Sequence, residues 1–332
     1  MNYRKIIAES WLYTQKNKKL ILWFGFLPAL FTTTFSVGYL AYQFFAFKKS
    51  YLFDDSDESF LHEVAAFIWT FIRDHVSLTV PLVIVAAIFA IVYLLFPTLA
   101  KASSIQMIAR NRNNQPAGVG TGLRHGIMSF LPLLEYHLLI KTFAFFSIII
   151  EMAFVLRNLG PVIFKLFLPV FIIFVIISLV LTILFTYADF FIVVDDDGVF
   201  ESMKKSAKLV VMNLKHTFLV TILMLIIGIR IVIQVILVFL IPALIVLITG
   251  YIATVTLPVT SVIVGGLVGF VALIIAAYLN GIVDIFSYTV WTFTFLELTS
   301  QKIHTARGLP EEEQKEEENK EDKDTEGEHA NL

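Results

Sequence analysis

The chain has 332 residues, of which 58% are hydrophobic and 16% charged, whereas a soluble domain is about 45–50% apolar and about 25% charged. That balance excludes a water-soluble globular protein and defines an integral membrane protein, and the absence of cysteine excludes disulfides, thiolate metal sites and cysteine nucleophiles. The net charge of −2 is unevenly spread: the residues after Pro310 carry eleven acids against three lysines, leaving the rest of the chain at +6.

In chain order, the first unit runs from Ile6 to Phe31. Ile7, Ala8, Trp11 and Leu12 form a narrow apolar face, with Arg4, Lys5, Lys16, Lys18 and Lys19 beside it. This is the pattern of a helix lying in the membrane interface, and Trp11 suits the headgroup region; the alternative is an amphipathic helix packed on protein. No cleavable signal peptide is expected, because the apolar run from Leu20 to Phe47 is too long for one. It is the first of six expected spans, a helix needing about 20 apolar residues to cross a bilayer. Its 28 residues must tilt or kink, at Pro28 or Gly38. Asp54, Asp55, Asp57 and Glu58 then make a polar loop, and Phe60 to His75 reads as an amphipathic helix on the opposite surface.

The second span is expected at 76–100, bracketed by Pro81 and Pro97. Lys101 to Ser129 follows with four basic residues and no acid, and its Asn, Pro and Gly residues mark a turn-rich connector. Further spans are expected at 131–156, 162–187, 218–248 and 259–279, and the last has the look of a helix that runs on past Gly281 through Asp284, Trp291 and Leu298. Gly265-x-x-x-Gly269 is a small-residue packing face within it. Residues 1–309 thus form an all-α, polytopic transmembrane bundle, and 310–332 an acidic tail too polar to bury a core, hence disordered.

Between the fourth and fifth spans a second unit, Val199 to Ile227, repeats the first. Phe200, Met203, Ala207, Val210 and Leu214 recur at helical spacing, while Lys204, Lys205, Lys208 and Lys215 fall elsewhere. Asp195, Asp196 and Asp197 precede the helix and Glu201 lies in its first turn, at the positive end of its dipole. In both units a Ser sits seven residues before an Asn, with a Lys two further on: Ser10, Asn17, Lys19 and Ser206, Asn213, Lys215. The two copies suggest internal duplication. Thirteen Lys and Arg fall on the side that holds both termini against five on the other, so both ends are expected in the cytoplasm.

Ionisable residues inside a membrane are costly and mark candidate sites. Glu135, His137 and Lys141 lie near the start of the third span, where they can snorkel to the interface. Glu151 and Arg230 lie deeper and at comparable depth, as an intramembrane ion pair would, with Gln234 one turn on and Asp284 in the last helix extending a polar network. The Asp195–Gly198 run does not fit a calcium loop, since Val193 and Lys204 would fall at carboxylate positions. The seven histidines are scattered with no His-x-x-x-His pair, so no metal is expected. No phosphate-binding loop, serine elbow or nucleic-acid-binding motif occurs, so neither a cofactor nor a nucleic-acid partner is expected.

Glu201 to Asn213, preceded by Val193-Val194 and the acidic turn, together with Ser10-Trp11 through Asn17, resembles a broad group of poorly characterised bacterial six-span membrane proteins. That group includes the membrane domain attached to some glycerophosphodiester phosphodiesterases, with Ser202 here in place of the usual Ala. The resemblance implies a location in the bacterial inner membrane. It does not carry over the phosphodiesterase activity, which needs a separate barrel of about 250 residues. The expected function is a non-catalytic multi-pass membrane protein that organises or assists envelope components, its partners being the lipid bilayer and other membrane proteins. The alternative is a small-solute transporter or channel using Glu151, Arg230 and Asp284.

Overall fold

The computed structural model describes residues 2–48, 60–115, 118–141, 145–229 and 258–306, and among these almost every residue is helical and none is in a strand. Helix α1 is Tyr3–Lys16. Helix α2 is a continuous run over residues 18–48, in which Lys18–Leu20 leads into a π-helical turn, Ile21–Phe26, and then Leu27–Lys48. There follow α3 (Phe60–Asp74), α4 (Val76–Arg112), α5 (Val119–Lys141), α6 (Phe145–Asn158), α7 (Gly160–Leu184), α8 (Ala188–Val194) and α9 (Val199–Met212). Helix α10 is Leu214–Ile229, and α11 is Pro258–Ala306, a single helix of 49 residues.

Four helical runs are long and apolar enough to cross a membrane: Lys18–Tyr39, Val76–Arg112, Gly160–Val194 and Gly266–Ser300. The pair α9 and α10, bent by 97°, makes a fifth if it counts as one span. Six were expected. The third expected span is described as α5 up to Lys141 and α6 from Phe145, and residues 142–144 within it lie outside the described residues. The fifth is described only to Ile229, and the remainder of 218–248 lies outside the described residues, as does the acidic tail 310–332.

Burial is concentrated at one end of the bundle. The last third of α4, the start of α2, α8, one face of α1 and of α9, and the second half of α11 supply nearly all the buried apolar side chains. One cluster gathers around α8, where Tyr187, Ala188, Ile192 and Val193 meet Ile105, Leu133, Leu209 and Phe295; the other joins Ile6, Leu20 and Phe24 to Ile108, Ile285 and Val290. By contrast only 6% of the most apolar window in Val76–Arg112 and in Gly160–Val194 is buried inside protein. Side chains such as Val83, Ile88, Leu166, Ile173 and Phe270 are exposed. In water this would be untenable; lipid tails are as apolar as leucine and cover such surfaces without cost.

Glycine sets two close helix contacts. A Cβ on Gly25, in the π turn of α2, would lie 2.5 Å from the Gly281 carbonyl oxygen, and one on Gly281 would lie 2.5 Å from the Phe26 nitrogen, so the two backbones touch where only glycine fits. On α5, Gly122 and Gly126 press against Met107 and Ser103 of α4. The expected connector at 101–129 is therefore mostly helix: α4 runs on to Arg112 and α5 begins at Val119, because these glycines serve close packing rather than turns. Gly269 of the expected packing face has nothing within 4 Å.

The two repeated units have matching local structure. Helices α1 and α9 are each 14 residues long. Each ends on its Asn: the Asn17 amide reaches back to the Tyr13 carbonyl (2.8 Å) and the Asn213 amide to Leu209 (3.1 Å), while both backbone N–H groups bond carbonyls of the last turn. These bonds satisfy groups that a helix end leaves orphaned. The faces turned to protein are equivalent too: Ile6, Ser10 and Thr14 in α1, and Ser202, Ser206 and Val210 in α9. Of the apolar faces expected from spacing, Trp11, Leu12 and Phe200 are about half or more exposed, although Trp11 meets Phe286 edge-on, while Val210 is buried and Met203 packs on the core around α8.

Candidate functional site

Where the helices converge, four of them bring charge together. Lys101 of α4 pairs with Asp189 of α8, the Nζ bonding Oδ2. His137 of α5 sets Nε2 3.2 Å from the other carboxylate oxygen and 3.4 Å from the lysine Nζ. Its Nδ1 lies 3.4 Å from the Thr98 hydroxyl. From α11, the Tyr288 ring lies 5.8 Å from the lysine ammonium, and Asp284, one turn earlier, is half-buried and within the electrostatic reach of Lys101. The Lys101 and Asp189 side chains are 21% and 13% exposed. A buried ion pair persists only when hydrogen bonds and counter-charges satisfy it, and here one carboxylate stands between two groups able to bear positive charge.

Local sequence explains each placement. Pro97 lies inside α4, and after it Lys101, Ile105 and Ile108 share one face at helical spacing, so the lysine turns inward with the apolar core. Asp189 sits in the first turn of α8, where the helix dipole favours a carboxylate. That short helix is secured by Ser206 of α9, which donates to the Leu184 carbonyl (2.8 Å) and accepts the Tyr187 N–H (3.0 Å), bridging the end of α7 to the start of α8. Gln106 of α4 donates to the Val193 carbonyl at the far end of α8, and the Tyr136 hydroxyl donates to the Phe185 carbonyl (3.2 Å). The equivalent serine of the first unit, Ser10, is fully buried and its hydroxyl has no partner among the described residues.

Beside the cluster, a cleft of about 340 Å³ opens between α2, α4 and α5, with Thr32, Tyr93, Thr98 and His137 as its polar lining. On the outer side of α9, Lys205 bonds both carboxylate oxygens of Asp197 (2.7 and 2.8 Å) and Glu201 (3.0 Å); contact with Asp197 and Glu201 raises the pKa of the lysine. Arg112 joins Glu9 of α1 (2.8 Å) and lies over Phe293 of α11.

Of the residues singled out from sequence, Asp284 adjoins the cluster, Glu151 is exposed on α6, and Arg230 and Gln234 lie outside the described residues. Glu135 is exposed, in keeping with snorkelling. His137 instead faces Lys101 and Asp189. Sequence reasoning misses two residues of the cluster: it places Lys101 in the connector after the second span and does not single out Asp189. Their signal was isolation: each is a lone charge in a run of apolar and small residues, Leu99 to Ile105 and Ala188 to Val194.

No group of three or more His, Asp or Glu that could hold a metal occurs among the described residues. No family model matches the chain, and neither does any curated protein or any solved structure. The fold and the cluster define a helical protein built to be embedded in a membrane, with its polar machinery gathered at the packed end of the bundle.

Proposed function

We propose that the protein is a non-catalytic multi-pass component of a cell membrane, both termini in the cytoplasm, that organises or assists other envelope proteins. One observation carries this reading: α7 presents apolar side chains on nearly every side, from Val162 to Val180, far more lateral surface than its own bundle uses. The charged cluster supports it, since Lys101, Asp189 and His137 are mutually engaged and act as a clamp that keeps the packed end rigid. In native membranes, a photoreactive amino acid at Phe167 or Ile173 should give discrete protein adducts; adducts with lipid alone would overturn the reading. Tags on the two ends should be protected on the same side of the membrane.

A second reading, a small-solute transporter, is favoured by the cleft that reaches His137 beside an ion pair. Membrane charges of this kind line substrate and proton paths. Reconstituted vesicles would then show a pH-driven flux that Asp189→Asn abolishes, and vesicles with no flux under any ion gradient would leave only the first reading.

A further inference from the structure

We propose that the cleft between α2, α4 and α5 binds an amphiphile with a neutral head bearing hydroxyl or ester oxygens and a hydrocarbon tail. Its volume of about 340 Å³ falls in the range of about 300–1,000 Å³ typical of ligand sites. The lining is divided. Thr32, Tyr93, Thr98 and His137 supply its polar groups, while Leu94 and Leu138 wall it with hydrocarbon and are about half exposed.

The polar part has capacity to spare. Thr98 Oγ1 and His137 Nδ1 are 3.4 Å apart, beyond the usual 2.5–3.2 Å of a protein hydrogen bond, so an incoming oxygen can take the place of either partner. Thr32 donates to the Pro28 and Ala29 carbonyls, 3.2 Å away, and keeps its oxygen lone pairs for a donor on the ligand. Charge then selects the head. Lys101 and His137 both engage Asp189, with Asp284 also in the field of the lysine, so among the described residues no cation behind the cleft is left uncommitted. A phosphate would lose its hydration and find no free cation in exchange, whereas a neutral hydroxyl or ester loses little and gains hydrogen bonds. The leucine walls direct the tail outward into the acyl phase.

The test uses the full chain in phosphatidylcholine nanodiscs with a diacylglycerol that carries a photoreactive group in its acyl chain. Labelling should map to residues 93–98 and 134–140 and be competed by unlabelled diacylglycerol but not by phosphatidic acid. Filling the cleft with Leu138→Trp, or independently with Leu94→Trp, should cut labelling at least about tenfold, equivalent to about 1.4 kcal/mol, while Phe167→Trp on α7 leaves it unchanged. Both cleft positions are half exposed, so neither substitution overfills the core. Labelling spread evenly over the bare faces of α4, α7 and α11, equal labelling of the filled variants, or competition by phosphatidic acid as strong as by diacylglycerol would each overturn the proposal. The wild-type competition and mapping stand without any variant.

Discussion

Gly25 and Gly281 lie backbone against backbone, the carbonyl of one residue at the place where a side chain of the other would start. This contact ties the π turn of α2 to the middle of α11. Gly281→Ala and Gly25→Ala should each destabilise by about 1–3 kcal/mol, the usual cost of forcing extra volume into a packed contact. Gly269→Ala, twelve residues earlier on α11 and with nothing within 4 Å, should be neutral or slightly stabilising through helix propensity. Thermal unfolding of the three variants in one detergent distinguishes them.

Lys101→Ala leaves Asp189 charged and enclosed, and Asp189→Ala does the same to Lys101. Each should cost about 3–5 kcal/mol, whereas the double variant Lys101→Met with Asp189→Leu should recover much of the loss, because the desolvation penalty vanishes with both charges. A double-mutant cycle followed by denaturant unfolding reads the coupling. Additive losses would show that the two side chains do not act as a pair.

Ser206 and Ser10 occupy the same place in the two repeated units but have different work. Ser206→Ala strands the Leu184 carbonyl and the Tyr187 N–H, at a cost of about 1–3 kcal/mol. Ser10→Ala removes a hydroxyl without a described partner and should leave unfolding unchanged or raise its midpoint. Parallel melts of the two variants give the comparison.

Asp195, in the turn before α9, has its carboxyl pushed above the ordinary value by burial and by the charge of Asp197, with Lys205 opposing. A folded-state value above the unfolded one means that the group adds stability at pH below its unfolded value and loses that contribution as pH rises through the folded one. At neutral pH the ionised carboxylate is therefore a small burden, and Asp195→Asn should unfold later than the parent. The advantage should shrink to nothing as the pH falls through the carboxylate range, which melts across pH 3–7 would follow.

Much of the layout was legible in the sequence, because a lipid-facing helix must be apolar for its whole length and little else competes with that signal. The spacing of Asn17 and Asn213 was visible as a pattern, but their role in ending α1 and α9 was not. The Lys101–Asp189 pair was not legible. Its members are 88 residues apart, and beside a long apolar run a single charge reads as the end of a span. The connector at 101–129 misled because glycine has two uses, in turns and at close helix contacts, and only the position of Ser103 opposite Gly126 separates them. The expected faces of α1 and α9 divide: Leu12 and Phe200 are exposed, Val210 is buried, and the serines beside them make the protein contacts, since a small hydroxyl can bond a neighbouring backbone where a larger apolar group would hold it off.

The bare first half of α4, from Val80 to Ile91, leaves its sequence unusually free to drift. Exchange among Ile, Leu, Val and Phe along it replaces one solvated hydrocarbon by another, so related chains can diverge there almost without restraint. The seven residues of α8, enclosed by four other helices, have no such latitude. Divergence in this protein should therefore run from one end of the bundle to the other, with the oldest wording preserved around Asp189.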